Sequence, residues 1–136
     1  MYLLDTNVLS ALRRRQRHAH VMRWVSTQRS SDLHVSVISL GEIERGIARA
    51  RRRDPRFAAL LAQWLDDTIN LYAGRVLPID LGAARRWGFL SQSLGHQDAD
   101  LLLAATALER GLTVVTRNAR HFEPTGVPVL NPFDPP

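Results

Sequence analysis

The chain has 136 residues, the size of one domain, and can bury roughly 65–70% of the surface it would expose when unfolded. With 45% apolar residues, a mean hydropathy of −0.17 and no apolar run near the roughly 20 residues of a membrane span, it reads as a folded soluble domain, neither disordered nor transmembrane. All 18 basic residues are arginine, cysteine is absent and the net charge is +5, which excludes disulfides, thiolate zinc sites, cysteine nucleophiles, Walker A loops and lysine-based catalysis.

The first apolar run, Tyr2–Leu4, has strand character and ends at Asp5, where Thr6 and Asn7 open a helix. Asp5 is therefore either a helix N-cap or a functional acid. An acid within this short apolar stretch, with arginines after it, is the reverse of a secretory leader, so a cytoplasmic protein is expected. A basic cluster follows, Arg13, Arg14, Arg15 and Arg17 with His18 and His20. After the polar turn Ser30, Ser31, Asp32 comes a second strand-like run, Leu33–Ile38. Glu42 and Glu44 lie just beyond it at a helix start, and periodicity does not choose between them.

Leu40, Ile43, Ile47 and Ala50 form one helical stripe, followed by a second basic cluster, Arg49, Arg51, Arg52, Arg53 and Arg56. Asp54 precedes Pro55, and Phe57, Leu60, Leu61, Trp64 and Leu65 form the next stripe, with Asp66 and Asp67 on a solvated face. Arg75–Ile79 is a third strand, and Asp80 is placed to cap a helix carrying Ala83, Ala84, Trp87 and Leu90. Asp98 and Asp100 open a stretch that is apolar nearly all round, Leu101 to Leu108, predicted to be buried against a sheet and stopped by Gly111. Glu109 is read as a solvated acid beside Arg110. Leu112–Val115 and Val127–Leu130 complete five strands, with Glu123 and Asp134 in loop and tail.

Strands alternating with helices predict a single α/β domain over residues 1–136, a mostly parallel sheet of four to five strands between helical layers. In such sheets ligands sit beyond the carboxyl ends of the strands. Asp5, one of Glu42 and Glu44, and one of Asp98 and Asp100 all fall at such ends or at helix starts. Acids gathered there repel one another unless a cation joins them, and oxygen-only ligands suit Mg2+ or Mn2+. Zinc is disfavoured, because there is no HExxH and the five histidines lack ligand spacing; GxSxG and GxGxxG are also missing. Residues 13–56 hold twelve arginines against four acids, whereas the rest of the chain holds six against nine. That imbalance suggests a polyanion partner, although an arginine-rich solvated face would look the same. Metal-assisted attack on a phosphodiester is the chemistry left standing.

Over nearly its whole length the sequence resembles a PIN-domain protein, specifically a VapC-type toxin of a type II toxin–antitoxin pair. The resemblance is carried by LLDTNVLSAL, SVISLGEIERGI, DLLLAATALERGLTVVTRNARHF and VPVLNPF in matching order and spacing. It implies a three-layer α/β/α PIN-like fold and a Mg2+-dependent endoribonuclease whose products carry 5′-phosphate and 3′-hydroxyl ends. It assigns Asp5, Glu42 and Asp100 as catalytic metal ligands, selecting Glu42 over Glu44 and Asp100 over Asp98. Asp98 is then a helix cap or an aid to the metal, and Thr6, Asn7 and Thr116 support the ligands. Where the family often has a fourth acid this chain has Asn118, which weakens the expectation of a second metal.

The same resemblance implies a homodimer, a VapB-type antitoxin whose C-terminal segment blocks the cleft, a possible larger toxin–antitoxin assembly, and contact with DNA only through the antitoxin. The helices over Leu40–Arg53 and Phe57–Leu71 are the expected antitoxin groove. Arg13, Arg14, Arg15, Arg17, Arg49, Arg52 and Arg53 are candidates for RNA or antitoxin contact. Two rivals follow. A receiver-like signalling module needs a lysine that the chain lacks. A catalytically weak PIN-fold protein, acting as partner of a DNA-binding antitoxin at its promoter, gains weight from Asn118.

Overall fold

The computed structural model describes residues 1–135. Strand β1 (Tyr2–Leu4) leads through helices α1 (Thr6–Arg13) and α2 (Ala19–Ser26) to β2 (Leu33–Ser36). An antiparallel helix pair, α3 (Val37–Arg51) and α4 (Pro55–Leu71), then leads to β3 (Val76–Leu77). Helices α5 (Leu81–Leu94) and α6 (Ala99–Arg110) precede β4 (Thr113–Val115), and the short α7 (Ala119–Phe122) precedes β5 (Val129–Leu130). The strands form one sheet in the order β3-β2-β1-β4-β5, parallel at every junction.

The pleat sorts alternate residues to opposite faces. In β1, Leu4 joins a core with Val8, Val35, Ile43, Ile47 and Leu65, whereas Leu3 joins one with Leu90, Leu103, Ala104 and Phe122. Helices α1 to α4 therefore cover one face and α5 to α7 the other, which is the expected three-layer α/β/α arrangement. Strands buried on both faces are mostly apolar, and here Leu3, Leu4, Val35, Val114 and Val115 are fully buried. Helix α6 is the buried element foreseen: Leu101, Leu103, Ala104, Ala105, Thr106 and Ala107 are enclosed, and Gly111 ends the helix at φ 67°.

All five predicted strands exist, the first with the expected bounds Tyr2–Leu4 and the other four shorter. The Ser36 side chain accepts from the Ile38 N–H at 3.1 Å, which turns Val37 and Ile38 into the first residues of α3 rather than the end of β2. Pro78, which has no N–H to donate to a ladder, confines the third strand to Val76–Leu77. Arg75 lies outside it and ties neighbouring elements together, donating to the carbonyls of Ser30, Leu33 and Leu71 at 2.6, 2.7 and 2.9 Å. Glu109 pairs not with Arg110 but with Arg86 of α5 at 3.2 Å, while Arg110 reaches Asp80 at 3.2 Å. Asp80 is the expected cap, accepting from the Ala83 N–H, and Asp54, expected only to precede Pro55, also caps its helix by accepting from the Phe57 N–H.

Strand β1 occupies the middle of the sheet, with the first half of the chain spreading to one side and the second half to the other. That reversal opens a crevice at the carboxyl end of β1, where a doubly wound sheet binds its ligand. Among the described residues no helix is long and apolar enough to cross a membrane.

Candidate active site

Asp5 stands at that crevice, one residue past β1, at the N-cap position of α1. It is 5% exposed. One carboxylate oxygen accepts from the Thr6 backbone N–H at 2.7 Å; the other accepts from the Thr116 hydroxyl at 2.8 Å and the Asn7 amide at 3.3 Å. Thr116 follows β4 directly and is fully buried. Its hydroxyl oxygen also accepts from Asn7 at 3.3 Å and from the Asn118 backbone N–H at 3.0 Å. Asn7 in turn accepts from the Arg117 N–H at 3.1 Å, so the ends of β1 and β4 are laced together around one carboxylate.

Burial pushes the Asp5 carboxyl from its ordinary 3.8 up to about 6. The hydrogen bonds from Thr116 and Thr6 pull it down, and the charges of Asp100 and Glu42 push it up again. Asp5 therefore senses the charges of both other acids chosen by the resemblance. Glu42, in the second turn of α3, accepts from the Thr6 hydroxyl at 2.7 Å. Glu44 is exposed and its carboxylate makes none of these bonds. Asp100, in the first turn of α6, faces His121 of α7, with Nδ1 and Oδ2 3.3 Å apart.

Asp98 departs from expectation. It occupies the N-cap position of α6, yet its side chain makes no capping bond; it is 77% exposed and lies 3.5 Å from His96. With no buried donor aimed at it, the carboxylate remains in solvent. Asn118 occupies the N-cap position of α7, also without a side-chain cap. His121 was not singled out by sequence reasoning, which weighed histidines only for zinc spacing. Its position four residues after Arg117, on the turn that follows β4, was the available signal.

As placed, no three Asp, Glu or His side chains among the described residues stand close enough to hold a metal ion: Glu42 turns to Thr6 and Asp100 to His121. The donor chemistry nevertheless fits a hard divalent cation. All three donors are carboxylates, one is buried with its proton affinity raised by the other two, and a cation would relieve that repulsion.

The basic clusters are not beside the acids. Arg13 ends α1, a helix of eight residues and so about 12 Å long, Arg14, Arg15 and Arg17 follow it, and with Phe57 these four line an open pocket of about 540 Å³. Arg13 is partly buried there, its guanidinium 5.6 Å from the Phe57 ring and 5.9 Å from that of Trp64. Arg49, Arg52 and Arg53 lie at the far end of α3 from Glu42.

A fully parallel, doubly wound sheet with helices on both faces defines a class of α/β/α domain with its crevice at the central strand. The chain belongs to one family of that class, the PIN-domain family, whose model matches residues 2–126. It is 34% identical to the VapC ribonuclease Y4jK of Sinorhizobium fredii, covering 99% of both chains. It is also 34% identical to the toxin FitB of Neisseria gonorrhoeae, over 98% of this chain and 99% of that one. The solved structure of FitAB bound to an IR36 DNA fragment matches with a TM-score of 0.85 and 31% identity, over 100% of this chain and 98% of the other.

Proposed function

We propose that this chain, acting as a single domain over residues 1–136, is the toxin of a toxin–antitoxin module: a Mg2+-dependent endoribonuclease of the cytoplasm held in check by a VapB-type antitoxin. The observation that carries the reading is the buried Asp5 carboxylate at the switch point of the sheet, held by Thr116 and Asn7 and within reach of the charges of Asp100 and Glu42. The relatives named ribonuclease and toxin support it.

Asp5 and Asp100 would hold the cation, with Glu42 completing the hold or orienting the attacking water. A bound Mg2+ supplies acidification of that water and charge neutralisation at the scissile phosphate. Asn7 and Thr116 fix the Asp5 rotamer before any ligand arrives, so little reorganisation is left to the moment of binding. Thr6 performs the same service for Glu42. The C-terminal segment of the antitoxin would cover this crevice while its other half contacts DNA, a division consistent with the DNA-bound FitAB structure. Two copies of the chain would pair in that assembly. On α4, Phe57, Leu60 and Leu71 are exposed at 37, 70 and 69%, which supports the pair α3 and α4 as the antitoxin groove.

The test uses the purified chain, total RNA and Mg2+. Cleavage is expected to leave 5′-phosphate ends, to stop with EDTA, and to vanish in Asp5→Asn and Asp100→Asn with circular dichroism unchanged; full activity in either variant rejects the assignment. Asn118 favours a second reading, a catalytically weak toxin-fold partner of a DNA-binding antitoxin. RNA left intact in Mg2+ and in Mn2+ would select it.

A further inference from the structure

Helix α3 begins its exposed face with Glu42, and the next residues on that face are arginines. Glu42, Arg45, Arg49 and Arg52 are spaced three, four and three residues apart, the interval that keeps side chains on one side of a helix. All four are exposed, while the opposite face buries Ile43 and Ile47. Successive members of the row are therefore anchored about 4.5–6 Å apart along the axis, and the row runs about 15 Å from the acid's position. Arg45, Ala48, Arg49 and Arg52 line one shallow depression of about 240 Å³. Among the described residues, the acids paired with arginine are Asp32, Glu109 and Asp80, none with a member of this row, so three cations are left facing solvent.

We propose that Arg45, Arg49 and Arg52 form a phosphate track along which a single RNA strand leaves the crevice, a refinement that rests on the ribonuclease reading above. A regular row of unpaired guanidiniums matches a ligand whose negative charges also recur at a regular interval, and arginine is the side chain suited to phosphate oxygens. An acidic peptide would need apolar anchors to hold it, and the depression offers only Ala48. No aromatic ring lines the row, so bases have nothing to stack on there. The track grips backbone alone, and choice of sequence is made elsewhere. Arg45, which lies outside both arginine clusters of the sequence, is the member nearest the acid and the one that links the crevice to the basic end of the helix.

The experiment measures binding of a labelled 20-nucleotide single-stranded RNA by fluorescence anisotropy. It uses the full chain carrying Asp5→Asn, without Mg2+, so that no outcome depends on cleavage. Adding Arg45→Gln, Arg49→Gln and Arg52→Gln is expected to weaken binding about tenfold or more for RNAs of unrelated sequence. The slope of log affinity against log salt should flatten by about 2, the value for three phosphate contacts on a single strand. Arg49→Gln alone should flatten it by about 0.7, a milder variant that guards against a folding defect in the triple one. Unchanged affinity and slope in the triple variant, with wild-type melting temperature, overturn the track. So does a loss confined to one RNA sequence, or a loss of binding to an acidic peptide such as poly-Glu with RNA binding intact. If the chain with Asp5 restored cleaves no RNA, yet the triple variant still loses its RNA affinity, the track stands and the catalytic reading alone fails.

Discussion

Asp5 is a carboxylate whose burial ties stability to pH. Its folded-state pKa near 6 lies above the ordinary 3.8, so between about pH 4 and 6 the native state keeps a proton that the unfolded chain has already lost. The stability contributed by that proton is full below about pH 4 and is lost as pH rises through 6. Metal-free protein is expected to lose about 1 kcal/mol of unfolding free energy between roughly pH 5 and 7 from this group, read from urea melts, and Asp5→Asn to remove that slope. Thr116→Val keeps the shape but deletes the hydroxyl that lowers the Asp5 pKa and receives Asn7 and the Asn118 N–H. It should cost about 1–3 kcal/mol and shift the acidic limb of the pH–rate profile upward, because Asp5 would hold its proton more tightly. A limb that stays in place would detach Thr116 from the acid. At this scale the sequence was legible only in part. The motif LLDTNV names Asp5 and the resemblance names Thr116 as a support, but that its hydroxyl bonds Asp5 itself, 111 residues away, is announced by no local pattern. Asp98 and Asp100 differ by two residues, about 200° around a helix, so they point opposite ways, which spacing could suggest and only packing could decide.

At the scale of elements, period and capping chemistry carried the prediction. The 3.6-residue stripes located α3, α4 and α5, and the nearly all-apolar run located α6 as the helix wedged against the sheet. Leu103→Ala, at a fully enclosed position of α6, should cost about 2–5 kcal/mol in a urea melt. A cost below about 1 kcal/mol would mean that α6 is not packed as described. What escaped were the strand ends, since Ser36 and Pro78 act on one or two residues inside runs that are uniformly apolar. The arginine clusters were visible, but their positions relative to the acids were not. A charge count along the chain cannot say that Arg13 is taken up by the rings of Phe57 and Trp64. Leu60, 70% exposed in the middle of α4, gives the antitoxin groove a direct check: Leu60→Asp should leave the melting temperature within about 2 °C and weaken antitoxin binding about tenfold or more. Equal affinity would move the groove elsewhere.

For the molecule as a whole, the alternation of strands and helices was enough to place a crevice at the carboxyl ends of a parallel sheet. It was not enough to give the strand order, which depends on which side of β1 the chain takes when it returns. That order has a consequence for how the protein comes into being. Strand β1 is synthesised first, yet one of its two neighbours, β4, is among the last elements made. Until Thr116 has emerged from the ribosome, the central strand lacks half of its ladder and Asp5 lacks its clamp. A growing chain thus carries its principal acid from the outset but has no crevice to set it in. Any chemistry that depends on a clamped Asp5 would therefore have to wait until β4 and Thr116 have joined the sheet.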